Sequence, residues 1–201
     1  MPVTIAVALP TIGRDTLERS LDAISSQRLI HGDEILVVYD LHHGPAPDLR
    51  ARVACYAPFA TYHEHDAGTS FKGVFQTNAA FRMARADLVL AHSDDDVYTP
   101  GAFAHLRSLA EANPYCPIVF RNISPRGNVT WPDGEPRLRR HSLGGGSLAA
   151  PRRYLHQLHY PCEGIDYYWV CEVLAHAAAD GHLPVWTDQI LMRGRNMERR
   201  T

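Results

Sequence analysis

Leu88-Val89-Leu90-Ala91-His92-Ser93-Asp94-Asp95-Asp96 is the stretch on which the fold of this sequence turns. Four apolar residues without polar alternation read as a short strand buried on both faces, the pattern of a parallel sheet. The chain then runs straight into three adjacent carboxylates. They therefore lie at the carboxyl end of a strand, the edge at which open α/β sheets bind ligands. Three neighbouring carboxylates repel one another, and a hard divalent cation sharing the site with a phosphate relieves that repulsion. On an extended backbone Asp94 and Asp96 point one way and Asp95 the other. Two same-side carboxylates can hold Mg²⁺ or Mn²⁺ against a diphosphate. The plain alternative is a solvated acidic loop ahead of the helix that Pro100 opens; the position directly after the strand favours the metal.

Working outward, Val3–Leu9 is a second continuous apolar run, broken by Pro10-Thr11-Ile12-Gly13. Asp15 or Thr16 can cap a helix carrying Leu17, Leu21 and Ile24, ended by His31-Gly32. Glu34–Tyr39 is a further buried strand, and strand–helix–strand order implies a right-handed crossover and a parallel pair. Residues 41–50 read as a loop, Val53–Tyr56 and Thr61–His63 as strand-like, and Gly73–Arg85 as a helix that includes Asn78. Past Pro114 the pattern changes. Ile118–Ile123 is strand-like, 124–147 is rich in Gly, Pro and Arg, and helices are expected over Pro151–Leu158 and Asp166–Ala179. Leu183–Thr187 and Gln189–Met192 read as closing strands. The expectation is one α/β domain over 1–201, with a mostly parallel central sheet flanked by helices.

Composition narrows the classes. The 201 residues are 45% hydrophobic and 21% charged with net charge -2, too apolar for a disordered chain. No apolar run approaches the ~18 residues of a spanning helix, and no secretory start is visible. The four cysteines form no CxxC pair and sit among apolar residues, so buried reduced thiols in a cytoplasmic protein are expected. Residues 1–120 carry 9 basic and 14 acidic side chains, and 121–201 carry 11 and 8. A strongly basic nucleic-acid binder is not indicated. Of the basic residues only Lys72 is lysine, which a GC-rich coding sequence explains more simply than selection for phosphate binding.

Three further constellations carry chemistry. Asp40 ends the strand Glu34–Tyr39 at the same sheet edge as the triplet, where a carboxylate can accept from a nucleoside or simply start a turn. Pro10, Thr11 and Arg14 follow the first strand, offering a hydroxyl, loop amides and a guanidinium to a nucleotide. The GxGxxG and GxxxxGK[ST] loops are absent, which argues against an NAD enzyme and a P-loop NTPase. Glu163 and Asp166 precede Tyr167-Tyr168-Trp169 at a helix start, where a carboxylate is stabilised as the anion; a base beside a sugar surface and a plain N-cap both fit. The twelve histidines show no zinc spacing, and only His92, beside the triplet, is kept as a candidate.

Taken together these segments resemble a family 2 glycosyltransferase with the GT-A (Rossmann-like nucleotide-binding) fold. VALPTIGRDTLERSLDAISSQ is similar to the family's opening strand, Pro-Thr loop and helix. DEILVVYD is similar to its second strand, Asn78 sits in what resembles its Asn-bearing helix, ADLVLAHSDDDVYTPGAF is similar to its DxD segment, and EGIDYYW to its catalytic helix start. The sequence departs from the family at Tyr39, where an acid is usual, and at Ile165, where Glu often precedes Asp.

The resemblance implies metal-dependent, inverting transfer of a sugar from a nucleotide diphosphate, UDP being the first choice, to an acceptor nucleophile. Residues 1–112 would bind the nucleotide sugar and 113–201 the acceptor. Pro10, Thr11, Arg14, Asp40, Asn78, Asp94 and Asp95 would line the donor site. Asp96 with Asp94 would hold Mn²⁺ or Mg²⁺. Asp166, or Glu163 in its place, would be the general base, and Arg193 or Arg195 would reach the diphosphate. The acceptor stays open among a glycan, a lipid-linked or small molecule and a modified nucleic acid, and a homo-oligomer and peripheral membrane contact are allowed. The rival readings are a sugar-phosphate nucleotidyltransferase, which wants a glycine-rich basic loop near the N-terminus, and a non-catalytic nucleotide-sugar-binding protein.

Overall fold

The computed structural model describes residues 2–67, 73–124, 127–130, 145–155 and 165–194. Its elements are β1 (Ile5–Thr11), α1 (Leu17–Ser25), β2 (Glu34–Asp40), α2 (Leu49–Ala54), β3 (Ala60–His65), α3 (Val74–Met83), β4 (Leu88–Ala91), β5 (Asp96–Tyr98), α4 (Ala102–Ala112), β6 (Ile118–Ile123), β7 (Leu148–Pro151), α5 (Ile165–Ala179) and β8 (Val185–Gly194). The continuous apolar runs form central strands because both faces are covered. Ile5, Val7 and Leu9 of β1 enter one core with Leu17, Leu21 and Ile24 of α1 and Phe103 and Leu106 of α4. Ala6 and Ala8 enter the other with Phe81 of α3 and Trp169 and Val173 of α5.

The eight strands lie in the order β3-β2-β1-β4-β7-β6-β8-β5. β3, β2, β1 and β4 are mutually parallel, β7 runs against both β4 and β6, and β8 is parallel to β6 but antiparallel to β5. The sheet is therefore mixed, with β7 and β5 reversed, where a mostly parallel sheet is the expectation from sequence. At β5 the reversal follows from the connection itself, because residues 92–95 are too few for the crossover that a parallel neighbour needs.

One consequence places the site. In a flat sheet β5 would lie four strand spacings from β4, about 19 Å. Only residues 92–95 join the two strands, and two of them form a turn. Five extended Cα steps reach at most ~18 Å, so the sheet must curl and bring β8 and β5 back over the carboxyl end of β4. A Cβ on Gly146 would stand 2.3 Å from the Met192 methyl of β8 and 3.7 Å from the Ala91 carbonyl of β4, as the curl requires.

Several sequence expectations are corrected. α1 stops at Ser25 rather than His31-Gly32, and Arg28 adopts φ 55, which no helix continues through. Val53 lies in α2, four residues after Leu49 on the same buried face, so the segment at 53–56 is not a strand. Of the helix expected over Pro151–Leu158, Pro151 instead ends β7, whose Leu148, Ala149 and Ala150 are buried between the two layers, and Arg152–Tyr154 form a single 3-10 turn; residues 156–158 lie outside the described residues. The two closing strands are one, β8, with an irregular register between Phe120 and Asn122 of β6 absorbing the break. β5 has no counterpart in the sequence reading. Among the cysteines, Cys55 is exposed and Cys116 and Cys171 are partly exposed, all free thiols, and Cys162 lies outside the described residues.

Candidate active site

Six strands run in one direction, so β1, β2, β4 and β8 all deliver their carboxyl ends to a single edge. That edge collects Thr11 at the end of β1, Asp40 at the end of β2, residues 92–96 after β4 and Arg193 near the end of β8. α5 leads through 180–184 to the opposite, amino end of β8. Fifteen helical residues span about 22 Å, so the first turn of α5, with Asp166, returns to the carboxyl edge.

The centre of the edge is the junction of β1 and the acidic triplet. The Thr11 hydroxyl donates to Asp94 Oδ2 at 2.7 Å, and the Arg14 guanidinium donates to Asp94 Oδ1 at 3.1 Å. Thr11 also accepts the Gly13 backbone N–H at 3.0 Å, which fixes the turn after the strand. Asp94 is 3% exposed and Thr11 4%, whereas the Arg14 side chain is half exposed and reaches in from solvent. Burial raises the Asp94 carboxyl above its ordinary value, against the lowering influence of Thr11, Arg14 and the Ile12 amide. An added positive charge at this point would offset that desolvation.

Asp95 stands 3.7 Å from Arg14, so one guanidinium serves two members of the triplet. The extended alternation expected from sequence does not hold, because residues 94 and 95 form a turn and Asp96 opens β5. The Asp96 carbonyl accepts from Ser20 Oγ of α1 at 2.8 Å and from His92 Nε2 at 3.1 Å. A carbonyl only accepts, so Nε2 carries the ring proton. His92 stacks on Tyr98, with ring centroids 4.6 Å apart, and burial lowers its pKa to about 4, leaving it neutral near pH 7. Gln27, just past α1, donates to the Thr99 carbonyl at 3.1 Å and anchors the far end of the same segment.

Asp40 is 1% exposed. Its Oδ1 accepts the His42 backbone N–H at 3.0 Å, while Oδ2 has no hydrogen bond and faces the His43 ring at 3.8 Å. A buried carboxylate oxygen left open at a ligand edge is a ready acceptor for an N–H or O–H. Pro10 abuts the start of α3, where a Cβ on Gly73 would come within 3.0 Å of the proline. Asn78 is partly buried on α3, the helix that packs on β1 and β2. Arg193 is exposed on β8 opposite Val97, and Gly194 pairs with Asp96, so the chain leaves β8 beside the triplet. Glu163 and Arg195 lie outside the described residues, and of Asp166 only the backbone is described.

The described residues contain no group of three or more His, Cys, Asp or Glu arranged to hold a metal ion. The carboxylates of Asp94 and Asp96 are nonetheless hard donors of the right kind. Mg²⁺ is commonly held by one or two carboxylates, with substrate phosphates and water completing the shell. On those terms the triplet could hold a cation that arrives with a diphosphate.

No family model and no curated protein matches the sequence. Solved structures do match. TarS from S. aureus aligns at TM-score 0.72 and 12% identity, over 96% of this chain and 36% of that one. This chain shares its fold. A complex of TarS 1–349 with UDP-GlcNAc aligns at TM-score 0.72 and 13% identity, over 98% of this chain and 60% of that one. The mannosyltransferase PcManGT from Pyrobaculum calidifontis, in complex with GDP-Man and Mn²⁺, aligns at 0.68 and 17%, over 99% of this chain and 58% of that one. The chain thus spans roughly a third to three fifths of the length of these structures.

Sequence reasoning identified Thr11, Arg14, Asp40 and the triplet, which the fold brings to one edge. It missed Ser20 and Gln27. The signal for Ser20 was a polar residue inside the apolar stripe Leu17, Leu21 and Ile24, and Ser20 is 1% exposed.

Proposed function

We propose that this protein transfers a glycosyl group from a nucleoside diphosphate sugar to an acceptor nucleophile. The observation that carries the reading is the Thr11–Arg14–Asp94 junction, buried at a strand edge beside an Asp40 oxygen that accepts no hydrogen bond. The shared fold with a UDP-GlcNAc complex and a GDP-Man–Mn²⁺ complex supports it. In this reading Pro10, Thr11, Asp40 and Asn78 border the nucleoside, and Arg14 and Asp95 border the diphosphate. Arg193 or Arg195 reaches the diphosphate from the end of β8. Asp96, with Asp94 behind it, would hold a divalent cation. When bound, such a cation neutralises charge on the departing diphosphate.

The remaining chemistry belongs to the chain. Asp166, or Glu163 in its place, takes the proton from the acceptor nucleophile as it attacks the anomeric carbon from the face opposite the diphosphate, which inverts the configuration. The anion is favoured at the start of α5 by the helix dipole. Residues 1–112 serve the donor and 113–201 the acceptor. The test separates the two halves. Asp96→Ala is expected to abolish cation-dependent donor binding. Asp166→Asn is expected to keep donor binding and lose transfer, and loss of binding in that variant would remove Asp166 from the role of base.

A further inference from the structure

The Asp96 carbonyl is held more tightly than a strand start requires. Its two donors come from separate elements, Ser20 from the middle of α1 and His92 from the residue after β4, and both side chains are buried, at 1% and 4% exposure. The His92 ring stacks on Tyr98, which in turn packs edge-on against Phe103 at 5.1 Å. In that apolar setting an apolar side chain would pack as well. Instead the ring leaves Nδ1 buried without a hydrogen bond, a cost to folding that a leucine would not incur. The feature the imidazole adds is its Nε2–H on Asp96.

We propose that Ser20 and His92 are positioning residues, which clamp the Asp96 main chain and so fix where a cation-binding carboxylate is presented. The assignment rests on the donor-and-cation reading above. Fixing a carboxylate through its own backbone does for a metal ligand what outer-shell partners do for a histidine ligand, by removing alternatives to the productive geometry. Two donors on one carbonyl also make the clamp redundant, so losing either weakens it and losing both releases it.

The test titrates Mn²⁺ into the 201-residue chain in the presence of UDP, and separately of GDP, following free aqueous Mn²⁺ by electron paramagnetic resonance. Ser20→Ala keeps a good helix former and is expected to weaken Mn²⁺ binding about tenfold, the lower end for outer-shell partners. His92→Leu is expected to do the same while the melting temperature of the metal-free chain holds or rises. His92→Gln, which retains a donor at the reach of Nε2, is expected to restore binding to within about threefold. Asp96→Asn is expected to abolish it. If Ser20→Ala and His92→Leu bind Mn²⁺ as the native chain does while Asp96→Asn does not, the positioning assignment is overturned and the cation reading survives. If the native chain takes up no Mn²⁺ with either nucleotide, both fall. Should His92→Leu not fold, Ser20→Ala carries the decision alone.

Discussion

Replacing Thr11 with valine removes one oxygen from a buried junction and almost nothing else. The Thr11 hydroxyl donates to Asp94 Oδ2 at 2.7 Å and accepts the Gly13 amide at 3.0 Å. A hydrogen bond to a charged group contributes about 1.5–3 kcal/mol, and a lost neutral one about 0.5–1.5 kcal/mol. With Arg14 still on the other Asp94 oxygen, Thr11→Val is expected to cost about 2–3 kcal/mol. For a chain of this length that lowers Tm by roughly 5–10 °C. The loss depends on pH in a defined sense. Burial already holds the Asp94 carboxyl above its ordinary value, and Thr11 is the leading influence lowering it. Without Thr11 the folded-state pKa rises further, so the charge-dependent part of the penalty is absent below the native folded-state pKa and complete above the raised one. Urea unfolding followed by far-UV circular dichroism at neutral pH and near pH 4 measures both quantities, with Thr11→Ser as the control that keeps the hydroxyl. A deficit under about 0.5 kcal/mol, or one equal at the two pH values, would refute the reasoning.

Three other expectations follow from the packing and charges. Phe81 is 1% exposed and its ring centroid lies 5.3 Å from that of Trp169, so Phe81→Ala should cost about 3–5 kcal/mol in chemical denaturation. Asp33 accepts the Ile5 and Ile30 amides at 2.8 Å each and pairs with the Arg107 guanidinium; Asp33→Ala strands that cation and should cost about 3–5 kcal/mol by the same measurement. The Arg52 hydrogen bond holds the Glu18 carboxyl below its ordinary value, so the pair stabilises the fold above the unfolded-state pKa and loses its effect as pH falls through the folded-state pKa. Arg52→Leu should remove that acid-dependent component from a pH series of melting curves, at a cost below about 1 kcal/mol at pH 7 because the pair is partly exposed.

The parallel half of the fold was legible because its signals are local. The buried runs at β1, β2 and β4 have no alternation, and that alone demands cover on both faces. The helices α1, α3, α4 and α5 were expected from the sequence, α1 from its apolar spacing and α4 from Pro100. β7 went unread, because Leu-Ala-Ala-Pro carries no period and only its burial between β4 and β6 makes it a strand. β5 escaped for a similar reason. Its three residues are recruited to the sheet by β8, a pairing nearly a hundred positions away. The triplet, Thr11, Arg14 and Asp40 were visible as residue types at strand ends. What they bond to was not. The sequence reading set Asp94 and Asp96 on one side of an extended backbone, while the turn at residues 94 and 95 makes Asp94 the buried partner of Thr11 and Arg14 and leaves Asp96 to open an edge strand.

The central claim is that the carboxyl edge binds a nucleoside diphosphate sugar together with a divalent cation. Calorimetric titration of the chain with UDP-, GDP- and TDP-sugars, each with and without Mn²⁺, tests it most directly. The account predicts saturable binding of at least one donor that depends on Mn²⁺ and disappears in Asp96→Ala. No binding by any donor in the presence of Mn²⁺, or binding unchanged in Asp96→Ala, would contradict it.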